Sequence, residues 1–125
     1  MMTKKMFTDT TAMVKCPTHI IEIYIAGSID DAKTMLVQYA AEHGNCWSVE
    51  PTEFIYSGGR ELGLIVRYIN YPRYPKPLDT LMLDAITLAQ KLMQHLGQGS
   101  CSVVGTNETI WLTRRPGDVN NVQGA

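Results

Sequence analysis

Residues 45–70 read NCWSVEPTEFIYSGGRELGLIVRYIN, and their folding decides the architecture of the whole chain. Strand-forming residues flank Ser57-Gly58-Gly59-Arg60, whose glycines tolerate the positive φ of a tight turn, so the stretch predicts a β-hairpin. Pro51 has no N–H to give to a ladder, which puts the first strand at a sheet edge or over a bulge. On the returning strand, alternation sends Leu62, Leu64, Val66 and Tyr68 to one face and Ile65, Arg67 and Ile69 to the other.

Upstream of the hairpin, HIIEIYIA (19–26) is rich in β-branched residues and alternates Ile21, Ile23 and Ile25 against Ile20, Glu22 and Tyr24. Gly27 breaks that strand and Ser28 is placed to cap a helix, with Asp31 three residues on. Ala32, Met35, Leu36, Tyr39 and Ala40 then recur at helical spacing, and Gly44 is positioned to stop the helix. Downstream, the stripe Leu78, Leu81, Met82, Ala85, Leu88, Ala89, Leu92 and Leu96 predicts a second amphipathic helix ending at Gly97. SCSVV, a turn at Gly105-Thr106-Asn107, and TIWLT complete the order β-α-β-β-α-β-β.

That order fits an α+β, ferredoxin-like βαββαβ sheet with an additional C-terminal strand, and both helices on one face. The crossover rule sets the first strand beside the third and leaves the second at the edge. Residues 1–17 are expected to form a flexible N-terminal arm, 18–115 a single domain and 116–125 a flexible tail.

The 125 residues suffice for one core. With 45% hydrophobic and 18% charged residues the composition is that of a globular protein, with no apolar run long enough to span a membrane. A net charge of −1 offers no basic field for DNA or RNA. The odd, widely spaced Cys16, Cys46 and Cys101 suit reduced thiols in a cytoplasm, and His19, His43 and His95 sit at no zinc-ligand spacing from them. Neither GxGxxG nor GxxxxGK[ST] occurs, so no cofactor is expected.

Candidate binding chemistry lies in YINYPRYPKP (68–77). Its prolines make it a stiff connector, and the same stiffness presents Asn70, Tyr71, Arg73 and Tyr74 at low ordering cost. These groups stack on a base, pair with a phosphate and read polar edges. Arg60 beside the turn glycines, and Arg114 and Arg115 after the last strand, are further phosphate partners. The strand directions put these three arginines at the opposite end of the sheet from Asn70–Tyr74, so the two groups can meet only across a subunit boundary. The helix-free sheet face, carrying Ile20, Tyr24, Ile65, Ile69 and Trp111, points independently to a homo-oligomer. Around Cys46 and Cys101 there is no His–Asp pattern, and Glu50 and Glu53 straddling Pro51 are weak evidence for acid–base work.

The strings EIYIAG, PTEFIYSGGRELG, INYPRYP and IWLTRR, spread over residues 19–115, resemble small phage-encoded immune-evasion proteins, in particular the Thoeris anti-defence sponges. The likeness implies a homo-oligomer that captures cyclic ADP-ribose isomers without cleaving them. The expectation is therefore a non-enzymatic binder of a small anionic, nucleotide-like ligand. An enzyme acting on such a ligand, or an inhibitor offering its sheet edge to a protein, remains the alternative.

Overall fold

The computed structural model describes residues 5–6 and 10–118; the remainder of the expected arm and tail, 1–4, 7–9 and 119–125, lies outside the described residues. A short hairpin, β1 (Lys5–Met6) with β2 (Ala12–Met13), precedes the domain. There follow β3 (Ile21–Ala26), α1 (Ile29–His43), β4 (Trp47–Tyr56), β5 (Gly59–Tyr68), α2 (Leu78–Leu96), β6 (Ser100–Gly105) and β7 (Thr109–Thr113). The last five strands form one antiparallel sheet in the order β4-β5-β3-β6-β7. This is the expected ferredoxin-like arrangement with its added strand, and Pro51 sits on the edge strand, paired with Leu64 without breaking the register.

Local chemistry sets the ends of the elements. Ser28 Oγ accepts from the Asp31 N–H at 3.2 Å, and Gly44 closes α1 in the left-handed region (φ 68°) with its N–H on the Ala40 carbonyl. Pro77 stands at the N-cap of α2 with no side-chain cap, and Asp79 in the first turn favours the helix dipole instead. The β4–β5 turn is tighter than its four-residue reading: Tyr56 pairs with Gly59, so Ser57-Gly58 alone turn, with Gly58 at φ 90°. Gly59 and Arg60 belong to β5.

The core lies between the helices and one sheet face. Ile21, Ile23 and Ile25 of β3, Leu64, Val66 and Tyr68 of β5, and Cys101 and Val103 of β6 meet Leu81, Ala85, Leu88, Ala89, Leu92 and Met93 of α2. Fully burying each large aliphatic side chain contributes about 1.5–3 kcal/mol, so the central strand is the most strongly held part of the sheet. The opposite face has no helix. It shows Ile20, Ile69 and Trp111 about half exposed. Ile65, expected to be open there, is only 7% exposed; its cross-strand neighbours are Tyr24 and Glu50, beside Glu22 and Arg67. The aliphatic stems of such charged residues cover apolar surface while their heads stay wet.

Gly63 of β5 pairs with Ala26 of β3 and leaves no room for a side chain. A Cβ there would stand 2.5 Å from the Ile25 carbonyl oxygen and 3.0 Å from Ala26 Cα, both backbone atoms that cannot swing aside. Gly63→Ala is expected to lower stability by about 2–3 kcal/mol, read as a reduced urea midpoint with an unchanged slope.

Candidate functional site

Strand directions divide the loops between two ends of the sheet. β5 and β6 finish at one end, which holds the segment 69–77, the Gly44–Cys46 link and the Gly105–Asn107 turn. β3, β4 and β7 finish at the other, which holds Gly27, the Ser57-Gly58 turn and Arg114-Arg115. Asn70, Tyr71, Arg73 and Tyr74 are therefore together, and Arg60, Arg114 and Arg115 are not with them. Arg60 Nε pairs with Glu53 at 3.1 Å on an exposed surface, and Arg115 packs over Gly99. Arg114 donates its backbone N–H to the Gly99 carbonyl.

At the first end, Asn70 is the organising residue. Its Nδ2 donates to the Pro17 carbonyl at 2.8 Å, its Oδ1 accepts the Lys76 N–H at 2.9 Å, and its own carbonyl accepts from Cys16 Sγ at 3.4 Å. The Asn70 side chain thus closes residues 70–76 into a ring and ties the incoming arm to it. One of its two N–H groups and one of its two acceptor lone pairs are thereby engaged in structure. Within the ring the Tyr74 N–H donates to the Tyr71 carbonyl at 3.0 Å and Pro72 and Pro75 fix φ at two positions, with Pro77 just beyond it. Ile20 N–H donates to Thr106 Oγ1 at 2.8 Å, which fastens the other side of the arm.

This scaffold frames two cavities of about 400 Å3 each, separated by the exit of β5. One opens toward the helix side. Its wall includes Cys46, Tyr68, Tyr71, Arg73, Tyr74 and Leu81. Tyr71 Oη and Cys46 Sγ are 3.2 Å apart, joining the proline ring to the α1–β4 link, and this contact, followed by burial, raises the Tyr71 pKa. The Arg73 guanidinium lies over the Tyr74 ring at 5.3 Å, a cation–π contact that holds both planar groups at the rim. Lys76 is 3.7 Å from Asp84. Among the described residues Arg73 has no carboxylate partner, so the rim carries one uncompensated positive charge.

Tyr68 stands deeper, 6% exposed. Burial pushes its phenol well above the ordinary tyrosine range, so it stays protonated at neutral pH. The Trp47 indole is edge-on to it, with ring centroids 6.1 Å apart, and its N–H is near enough to oppose that shift. Even so, neither Tyr68 Oη nor Trp47 Nε1 reaches hydrogen-bond geometry with any described group, although both atoms are buried. Buried polar atoms of this kind are rare in folded proteins and ask for a partner.

The other cavity opens on the helix-free face, between the arm (Val14–His19), Glu22, Arg67 and Ile69. Here Arg67 bridges two carboxylates, Glu22 through Nε and Glu50 through Nη1, and Tyr24 donates to Glu22 Oε1 at 3.0 Å. The hydrogen bonds from Arg67 to Glu22 and then to Glu50 hold its guanidinium pKa above the ordinary arginine value. Two carboxylates against one guanidinium leave this cluster with a net charge of −1.

Loop composition picked out Tyr71, Arg73 and Tyr74 but missed Tyr68, Trp47, Cys46 and the Glu22–Arg67–Glu50 cluster. The signal for the cluster was present, since Glu22 and Arg67 fall on the same outward alternation. Their direct pairing needed the register. Cys46 and Trp47 come to the site only because α1 ends at Gly44 and returns the chain beside β5. Among the described residues no group of three His, Cys, Asp or Glu side chains is gathered to hold a metal ion. No described helix is long and apolar enough to cross a membrane.

No family model matches the chain, and no curated protein matches it. Among solved structures, a phage SAM lyase in complex with S-methyl-5'-thioadenosine matches with a TM-score of 0.64 at 14% identity, over 77% of this chain and 89% of that one. The likeness lies in the fold, and it corrects the expectation that the chain is not an enzyme: the architecture derived above is shared with a catalytic protein, so the missing nucleophile–base pattern does not argue against catalysis.

Proposed function

We propose that this chain is an enzyme acting on a small nucleoside-like molecule, that the molecule sits in the helix-side cavity, and that the reaction is of lyase type. The observation that carries this reading is the cavity wall itself: two phenol rings and a guanidinium held by a proline-stiffened ring, with apolar Ile69 and Leu81 beside them. Its volume of about 400 Å3 is within the range of small-molecule sites. Planar groups of this kind take a purine between them by stacking.

The charge at the rim bears on the ligand. A triphosphate or a cyclic dinucleotide asks for several cations, and Arg60, Arg114 and Arg115 are at the far end of the sheet. One free guanidinium suits a nucleoside with little or no phosphate. S-methyl-5'-thioadenosine, the ligand of the structural neighbour, has none. A nucleoside sulfonium such as SAM is the substrate we assign: its carboxylate can pair with the Arg73 guanidinium, which keeps the positive sulfonium away from that end of the rim. As the carbon–sulfur bond breaks, the substrate's own carboxylate can close on the released carbon to form a lactone, and the thioether departs as a neutral molecule, so no proton has to move. Cleavage then requires positioning and exclusion of water more than a His–Asp or Cys–His pair, and the sequence holds neither pattern.

The assembly reading is that copies of the chain join through the helix-free sheet face. Ile20, Ile69 and Trp111 are apolar and half exposed there, and they surround a cluster whose charges are already paired within the chain. Burying those three apolar groups against a second copy favours assembly, and the cluster's one unbalanced negative charge favours leaving the cluster at a wet edge of the contact.

Three outcomes follow. S-methyl-5'-thioadenosine at a hundredfold excess over its Kd is expected to stabilise the protein by about 2.7 kcal/mol in thermal melts, and Tyr74→Ala or Arg73→Ala to weaken binding by about 1–3 kcal/mol. Incubation with SAM, followed by mass spectrometry, is expected to show a thioether nucleoside accumulating; SAM recovered intact overturns the lyase reading. Light scattering at micromolar concentration is expected to give a multiple of the chain mass, and Ile69→Asp with Trp111→Glu to give single chains. A single-chain mass for the unaltered protein removes the assembly proposal.

A further inference from the structure

We infer that β7 is a self-pairing edge: it adds to β7 of a second copy of this chain, antiparallel and about a two-fold axis at Trp111, so that two five-stranded sheets become one. This contact is distinct from the helix-free face through which assembly is proposed above, and it does not rest on the nucleoside reading.

The two edges of the sheet are built differently. β4 carries Pro51 between Glu50 and Glu53, and proline and charge are what keep an open edge from adding a further strand. β7 reads Thr-Ile-Trp-Leu-Thr and has neither. Its main chain is also placed to pair. The Glu108 carbonyl accepts from the Gly105 N–H and the Arg114 N–H donates to the Gly99 carbonyl, each at 2.7 Å, so residues 108 and 114 turn main-chain groups toward β6. Alternation gives Ile110 and Leu112 the same direction and sends the N–H and C=O of Thr109, Trp111 and Thr113 to the open side. Among the described residues those outward groups have no main-chain partner.

One register uses all of them. With Trp111 opposite Trp111 of the second copy, Thr109 faces Thr113, and every outward N–H meets a carbonyl. Trp111, 46% exposed, then lies against its counterpart on the helix-free side, and Ile110 stands opposite Leu112 on the helix side. One step further out, Glu108 falls opposite Arg114 at both ends of the pair. Both are exposed, and among the described residues neither has an ion-pair partner of its own. A shift of two residues parts Glu108 from Arg114 and leaves Thr109 or Thr113 without an outward match. Hydrogen bonding and charge therefore select the same alignment, in which the strand is complementary to itself. The occupant this edge fits is a second copy of the chain.

Charge reversal tests the register without touching the core. Glu108→Arg alone sets Arg against Arg, and Arg114→Glu alone sets Glu against Glu; like charges directly opposite destabilise a strand pair. By sedimentation equilibrium, particles of half the unaltered mass are expected to persist to about tenfold higher concentration in each variant. Glu108→Arg combined with Arg114→Glu is expected to restore the unaltered mass, and so is an equimolar mixture of the two single variants, whose strand ends complement each other. Unchanged association in the single variants, or a loss that neither the combination nor the mixture recovers, overturns the inference. Should a reversal fail to fold, Thr109→Pro takes its place, since it removes an outward N–H and spares the ladder to β6: halved mass supports the pairing and unchanged mass overturns it. Ile69→Asp bears on the face contact alone, so assembly lost there but unmoved by the charge reversals overturns the edge pairing and leaves the face reading in place. A single-chain mass for the unaltered protein removes both.

Discussion

The register between β3 and β5 is the constraint on which both cavities depend. Ile21 faces Tyr68, Glu22 faces Arg67, and Ile23 faces Val66, so inward and outward residues are matched pair by pair. A slip of one residue would turn Tyr68 to the helix-free face and Arg67 into the core, since side chains alternate with a period of two. Three isoleucines of β3 lie at or below 1% exposure on the inward side, and expelling them would cost several kcal/mol. The Gly63 approach to Ile25 and Ala26 pins the same pair of strands at the opposite end. The buried phenol and the paired ionic cluster are thus consequences of a single alignment, although they face different sides of the sheet.

On that alignment the Asn70 bonds add the second level of order. A loop rich in tyrosine and proline has few backbone donors of its own, because each proline removes one. One asparagine side chain supplies both ends of the closure, to Lys76 N–H and to the Pro17 carbonyl. The arm and the ring therefore move as one piece, with the Tyr71–Cys46 contact joining them to the end of α1. A binding wall assembled this way has little entropy left to lose when a ligand arrives, which favours affinity from modest contacts.

The fold was readable in the sequence because its signals were local and agreed with one another. Ser28, Gly44 and Gly97 mark helix ends by backbone chemistry that neighbours do not override, and the stripe from Leu78 to Leu96 has one period only. The loop residues Tyr71, Arg73 and Tyr74 were also readable, since composition alone makes them unusual. The deeper part of the site was not. Tyr68 reads as an ordinary inward strand residue, and nothing in its neighbours tells that its hydroxyl lacks a partner; that depends on where Trp47, Tyr39 and Asp84 end up. The structural bond from Asn70 to the arm is not legible in the sequence, because Pro17 is more than fifty residues away. The burial of Ile65 is not legible either, because alternation gives the face of a residue but not what its cross-strand neighbours cover.

The expectation of a non-enzyme rests on the sponge likeness and on the absence of a nucleophile paired with a base, and the second ground presumes a reluctant leaving group. Where the leaving group departs as a neutral molecule, that presumption fails. The rate then depends on desolvation and on how the guest is held, which are properties of a cavity and not of a motif. The same consideration revises the ligand. Four arginines meeting across a subunit boundary imply a highly charged guest, yet within one chain the topology keeps three of them at the other end of the sheet, as the strand directions predict, and Glu53 already neutralises one of those. What remains beside the tyrosines is a single guanidinium stacked on a ring. That arrangement recognises a flat, weakly charged heterocycle better than a polyanion, because stacking gains little from extra charge while a polyanion without enough cations must give up its water uncompensated.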